Sequence, residues 1–323
     1  VGKKAAVSFG LKPNTTVGYS LLNQVNDAEG ELFEATRFYG SGGTNKIYGA
    51  YGVEILENLD VGFEVEYVFG KTQNNILNQK RDVFLGTKNT ESTTVRGTGL
   101  KVGLLYRKQF DNKIKMNLGA SIKLENNLSV TGSEYLYSAF VRSDGSELPR
   151  DTIYGASISG NLKNPLKTTL GLGFGKENKW FAAVDFEFQD PLDIEESEVT
   201  ANSSYSYGKS NRLSVGGFYI PKINSISSYW QRVTYRGGVR FQDTGLLVNT
   251  ADASGFTKVK DFGISFGLGL PLKDLSNLNL GVEYGKKGTT MNNLIQENYF
   301  NFKLSLSLNA IGNLAWFQKR KID

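Results

Sequence analysis

The chain of 323 residues contains no cysteine and no histidine. Without cysteine there are no disulfides, thiolate metal sites or thiol nucleophiles. Without histidine the commonest general base and zinc ligand are gone, and so is any histidine-containing triad of the kind a barrel hydrolase would use. Carboxylates remain, but no motif sets two of them around a scissile bond. The sequence therefore points away from an enzyme, with no catalytic residue, metal site or cofactor expected. No run of about 18 apolar residues occurs, so no transmembrane helix is expected. The net charge is only +5 and the 37 Lys and Arg are scattered, without a basic helix or compact patch, so nucleic acid is not an expected partner.

What the chain has in quantity is glycine (37), phenylalanine (20) and tyrosine (16), and they lie within segments of strict alternation. From Leu59 to Phe69 every odd residue is apolar, while Asp60, Gly62, Glu64 and Glu66 stand among the even ones. A strand has period two, so such a segment shows one face to an apolar medium and the other to water or polar groups. The pattern returns in Ile114–Leu124, where the even positions are apolar and Lys115 and Lys123 stand among the odd ones. It returns again in Phe262–Leu270, Leu278–Tyr284 and Phe300–Leu308. Strands of about 9–11 residues suffice for a tilted crossing of the hydrocarbon layer. A mean hydropathy of −0.31 is no objection, because a barrel wall meets lipid only at alternate residues.

Twelve strands are expected, at 4–20 (kinked), 44–56, 58–70, 94–108, 112–128, 153–175, 180–189, 209–220, 229–242, 258–271, 277–286 and 296–309. Brief connections alternate with longer polar ones at 21–43, 71–93, 129–152, 190–208, 243–257 and 287–295. Short turns on one rim and long loops on the other are the asymmetry of an outer-membrane barrel. The expectation is thus an all-β protein, one antiparallel transmembrane β-barrel over residues 1–323, in the bacterial outer membrane among lipid and lipopolysaccharide. Val1-Gly-Lys-Lys is neither an initiator methionine nor a signal peptide, so the sequence is read as N-terminally incomplete.

Three stretches carry a resemblance. The first is Ala6-Val-Ser-Phe-Gly-Leu-Lys-Pro-Asn-Thr-Thr-Val-Gly-Tyr-Ser20 with Phe38-Tyr-Gly-Ser-Gly-Gly-Thr-Asn-Lys46. The second is Tyr235-Arg-Gly-Gly-Val-Arg-Phe241 with Phe262-Gly-Ile-Ser-Phe-Gly-Leu-Gly-Leu-Pro271. The third joins Leu280-Gly-Val-Glu-Tyr-Gly285, Glu297-Asn-Tyr-Phe300 and Trp316-Phe-Gln-Lys-Arg-Lys321. Together they resemble the FadL/TodX family of outer-membrane transport barrels, in the branch typical of Bacteroidota. The resemblance implies a fourteen-stranded barrel in the full protein, an N-terminal hatch and about two first strands lying outside the given sequence, and sideways release of hydrophobic compounds through the wall.

Candidate sites follow. Pro13 interrupts the first strand, and proline within a sheet is confined to edges and bulges. By the resemblance, Gly10, Pro13 and Asn14 would rim a lateral portal; the alternative is a plain rim bulge. If the apolar face meets lipid, then Glu64, Glu66, Lys101, Asp185, Glu187, Arg232, Arg236, Arg240 and Glu283 point into the lumen. Arg232, Arg236 and Arg240 at i, i+4 and i+8 would form one cationic ladder for a carboxylate head group, or else ion pairs with the acidic strands. Trp180, Tyr219, Trp230, Tyr284 and Trp316 fall near strand ends and suit the head-group level as interfacial anchors. Gly40-Ser-Gly-Gly43 lacks the helix and lysine of a phosphate loop and reads as a turn. The acidic 190–198 run reads as solvated.

The leading reading is passive uptake of a hydrophobic or amphipathic, fatty-acid-like small molecule, with capture by loops and lateral release. The alternative is a non-transporting accessory barrel within a larger outer-membrane secretion or assembly complex. A contiguous stripe of small or polar residues on the lipid face would favour the alternative, and a uniform Leu/Phe/Val belt uptake; the strands read as mostly uniform, which favours uptake.

Overall fold

The computed structural model describes residues 4–142, 144–195, 205–249, 255–272 and 276–307. They form one antiparallel sheet of sixteen strand segments. In chain order these are β1 (Ala5–Asn26), β2 (Leu32–Leu56), β3 (Leu59–Lys80), β4 (Gly86–Gln109), β5 (Ile114–Lys123), β6 (Asn126–Val141), β7 (Glu147–Asn164) and β8 (Lys167–Lys176). There follow β9 (Trp180–Gln189), β10 (Asp193–Glu195), β11 (Tyr205–Tyr207), β12 (Ser210–Tyr219), β13 (Thr234–Val248), β14 (Thr257–Pro271), β15 (Asn277–Gly288) and β16 (Gln296–Ser307).

The segments make twelve staves. β5 and β6 both pair with β4 and are parted only by Leu124 and Glu125, so they are one stave. β7 and β8 form the next, interrupted at Pro165, which has no N–H to give to a ladder. β9 continues into β10, and β11 into β12, in the same manner. Each stave pairs antiparallel with its sequence neighbours from β1 to β16; among the described residues no ladder joins β1 to β16.

The staves differ from the expected strands in length. The outward apolar positions of β3 run from Leu59 to Phe69, a length suited to hydrocarbon, but the strand continues to Lys80. Its partners β2 and β4, and β1 beyond β2, extend in step, so much of 21–43, 71–93 and 129–152 is strand and not loop. With about 3.3 Å per residue, the strand here runs roughly 35 Å along its own axis beyond the apolar belt. At β15 only four residues follow Tyr284. The barrel is tall on the β1–β7 side and low on the β13–β16 side.

The tall side carries its own cross-strand contacts. Glu147 on β7 ion-pairs Lys88 on β4 and accepts a hydrogen bond from Tyr39 Oη on β2 at 3.1 Å. Phe84 packs on Phe140 at 5.1 Å, with Leu77 and Ala139 buried beneath. Arg81, on the β3–β4 turn, ion-pairs Asp27 on the β1–β2 turn and holds its carboxyl below the ordinary value.

β1 and β2 change register between Pro13 and Thr15, where Asn14 is the bulged residue, and again at the far end of the ladder between Val25 and Asn26. Thr44 fixes the bulge: it takes a hydrogen bond from Asn14 Nδ2 at 3.0 Å, and its N–H reaches Thr15 Oγ1 at 3.1 Å. Opposite lies Gly43 with φ +148°, where a Cβ would stand 2.2 Å from the Thr15 carbonyl oxygen. Gly43→Ala is expected to cost about 1–3 kcal/mol through backbone strain, read as a lower denaturant midpoint in detergent; an unchanged midpoint would contradict the bulge geometry.

Candidate functional site

Alternation places two functional surfaces on this wall, a lumen and an outward belt. The lumenal face carries charge, and the sheet arranges it in three clusters. In the first, Glu66 on β3, with a side chain 3% exposed, meets Lys46 on β2 at 2.8 Å and also Lys123 on β5. Lys123 reaches across β4 because Gly99 lies between; a Cβ there would stand 3.0 Å from Glu66 Cγ. In the second, Glu187 on β9 meets Lys167 at 2.8 Å and Arg212 at 3.0 Å. In the third, Arg240 on β13 meets Asp261 at 3.2 Å and Glu283 at 3.3 Å, and donates to Tyr299 Oη at 2.8 Å. Lys303 closes this cluster on Glu283 at 3.4 Å.

The ion pairs join neighbouring or next-but-one staves, and the Arg240–Tyr299 hydrogen bond reaches from β13 to β16, so these side chains run along the wall. Glycines make this possible: the Asp185 carboxylate lies over Gly171, the Phe181 ring over Gly173 and Gly175, and the Tyr299 ring over Gly285. Toward the short-turn rim the wall becomes small, with Ala6, Ser8, Ala50, Gly62, Gly103 and Gly119 around a cavity of about 560 Å³. Beside it a second cavity of about 310 Å³ is lined by five lysines, including Lys12 and Lys101, against Glu64, Glu66 and Glu187.

The predicted site residues divide accordingly. Glu64, Glu66, Lys101, Asp185, Glu187, Arg236, Arg240 and Glu283 all lie on the lumenal parity, with Glu64 and Lys101 directly opposed across β3 and β4. Arg232 does not. β13 begins only at Thr234, and Arg232 caps a 3₁₀ turn at Tyr229–Gln231, exposed, with its guanidinium 5.4 Å from the Tyr229 ring. The cationic ladder is therefore absent: Arg236 is held by Asn279 at 2.8 Å, and Arg240 is ion-paired through one guanidinium nitrogen with Asp261 and Glu283. Gly10 lies under the Tyr48 ring, and the β1–β2 ladder resumes on both sides of Pro13 and Asn14, so the bulge opens no gap in that seam. Lys115 pairs with Glu177 at the rim at 2.7 Å. Sequence reading passed over Asp261, Arg212 and Lys167, although the alternation of their own strands marks each as inward.

On the outward face, Trp180 and Tyr219 are cross-strand partners at the short-turn rim, and the Tyr284 ring packs at a tilt against Phe300, 4.9 Å between centroids, toward the other edge of the belt. Trp316 lies outside the described residues. The belt is not uniform. One row runs Phe174, Ala182, Gly217, Gly237, Phe266 across β8, β9, β12, β13 and β14, so that three adjacent staves present no bulk to lipid.

The family model for BamG matches residues 1–323. The chain belongs to the BamG family. No curated protein matches it. Among solved structures it is similar to a Pseudomonas aeruginosa FadL homologue, with TM-score 0.50 and 14% identity over 88% of this chain and 80% of that one. It is also similar to the CymD monoaromatic hydrocarbon channel, with TM-score 0.47 and 14% identity over 88% and 82%. A deltaS2S3 mutant of the TodX monoaromatic hydrocarbon channel gives TM-score 0.48 and 14% identity over 94% and 87%. The shared fold is that of an outer-membrane β-barrel, and this BamG-family chain resides in the outer membrane.

Removing Glu66 leaves Lys46 and Lys123 facing each other in a shielded wall. Glu66→Gln is expected to cost about 3–5 kcal/mol, as breaking a buried pair does, measured by urea unfolding in detergent. Arg240→Ala is expected to destabilise comparably, whereas Arg232→Ala leaves the midpoint unchanged; equal effects of the two would contradict the placement of Arg232 outside the lumen.

Proposed function

We propose that the protein is a non-transporting accessory barrel of a larger outer-membrane assembly or secretion complex, meeting its partner in the plane of the membrane. The observation that carries this reading is the break in the outward belt at Ala182, Gly217 and Gly237. Small residues let another backbone approach closely where lipid packing alone would be served as well by Leu or Phe. The BamG family match favours the same reading, because it spans every residue, whereas the likeness to uptake channels is one of fold at 14% identity. The tall β1–β7 wall adds protein surface outside the belt without adding to the crossing.

A second reading is passive uptake of a hydrophobic or amphipathic small molecule. Its support is the lumenal face, where ion pairs lie along the wall beside a small-residue cavity of about 560 Å³. In that reading a lateral exit at Gly10, Pro13 and Asn14 requires the closed β1–β2 seam to part there, and the wall carries the ligand without covalent chemistry.

The test is purification from the native membrane in mild detergent, with mass spectrometry of proteins and lipophilic molecules that co-elute. Stoichiometric partner proteins are expected. A Cβ on Gly237 meets nothing closer than 4.0 Å, so Gly237→Leu fills the notch without disturbing the ladder. Together with Ala182→Leu it is expected to leave the barrel folded and to lower partner recovery. A lone barrel carrying a bound lipophile, with recovery indifferent to both substitutions, would overturn the accessory reading in favour of uptake.

A further inference from the structure

The connection from β12 to β13 differs from every other turn on its rim. Those at 57–58, 110–113, 177–179 and 272–276 have two to five residues, and each contains an acid: Glu57, Asp111, Glu177 and Asp274. Residues 220–233 make a fourteen-residue connection with two cations, Lys222 and Arg232, and no acid.

This connection is built. Ile220 N–H donates to the Lys179 carbonyl at 2.7 Å, Lys222 N–H to Gln231 at 2.8 Å, and Ser225 N–H to Lys222 at 3.1 Å. Val233 and Ile220 are buried beneath it, and Ser225 within it. With its own small core occupied by those residues, it still directs large apolar side chains outward: Ile226 is 103% exposed, Trp230 62% and Ile223 42%. An ordered loop that holds isoleucine and tryptophan away from its own core has an apolar medium to put them in.

Its attachment tells which medium. Tyr235 Oη donates to the Trp230 carbonyl at 3.1 Å. Tyr235 lies on the outward parity of β13, in one cross-strand row with Tyr219 and Leu268, opposite to lumen-facing Arg236 and Arg240. The loop is thus tied to the lipid side of the wall and continues the aromatic girdle of Trp180 and Tyr219 beyond the rim. Apolar tips with a tryptophan at the boundary and cations beside them are what an interfacial segment needs to enter the acyl layer while meeting phosphates.

We propose that residues 220–233 form a membrane wedge: Ile223, Ile226 and Trp230 enter the leaflet at the short-turn rim, and Lys222 and Arg232 bind phospholipid phosphates there. The proposal rests on the outer-membrane barrel alone and is independent of whether the protein transports or assembles with a partner.

The test uses the full chain with Trp180→Phe and Trp316→Phe, leaving Trp230 as the one tryptophan, inserted into vesicles of phosphatidylethanolamine and phosphatidylglycerol with brominated acyl chains. Trp230 fluorescence is expected to be quenched by the brominated lipid and shielded from aqueous acrylamide. Ile226→Asp is expected to reverse both effects while the barrel keeps its heat-modifiable migration on a gel, which separates withdrawal of the wedge from unfolding. Full acrylamide quenching without lipid quenching would overturn the proposal, as would an Ile226→Asp variant that behaves like the parent. Trp230 exposed in vesicles but shielded in the natively purified complex would overturn it too, assigning the loop to a protein partner.

Discussion

Hydrocarbon offers no partner to a backbone N–H or C=O, and every other feature of this protein follows from that constraint. Each strand must spend its polar backbone on its neighbours, which makes the crossing an antiparallel ladder and leaves the side chains to alternate between two media. Leu59, Val61, Phe63, Val65, Tyr67 and Phe69 go to lipid; Glu64 and Glu66 go to the lumen. A one-residue slip anywhere in the belt would exchange the two sets, so the register is held by the solvent difference itself. The register shift of the β1–β2 ladder at Pro13–Thr15 is accordingly fixed by side chains, with Asn14, Thr15 and Thr44 bonded together against Gly43.

The lumen obeys a second rule, a steric one. A charge facing inward could reach across the lumen or lie back upon the wall, and here it lies back, because glycines stand beside it. Gly99 accommodates Glu66, Gly171 accommodates Asp185, and Gly263 accommodates Glu283, Arg240 and Tyr299. The resulting ion pairs bind neighbouring and next-but-one staves. In a shielded setting such pairs offset their own desolvation more than they add net stability, so their visible effect is to fix which stave faces which.

How much of this can be read in the sequence depends on where lipid is. β3, β5 and β14 through β16 alternate plainly within the belt, since each outward residue there must be apolar, and the lumenal parity of Glu66, Arg240 and Glu283 follows at once. Above the belt water lies on both sides, and Lys71-Thr-Gln-Asn-Asn75 alternates no longer, so the upper halves of β1 to β4 look like loops although their ladders are unbroken. Arg232 was misplaced for a related reason: Tyr229-Trp-Gln-Arg232 contains aromatics that suit a strand, and only the absence of alternation marks it as a turn. The notch at Ala182, Gly217 and Gly237 is invisible along any one strand and exists only once the register sets the three side by side.

The absence of native cysteine gives the two-faced wall its most direct test. Single cysteines introduced along β3 by Val61→Cys, Gly62→Cys, Phe63→Cys, Glu64→Cys and Val65→Cys can be exposed in intact bilayers to a membrane-impermeant thiol reagent. The account predicts labelling at 62 and 64, through an open lumen, and protection at 61, 63 and 65 by lipid. Labelling at every position, or at none, would contradict a wall with lipid on one face and a clear aqueous lumen on the other.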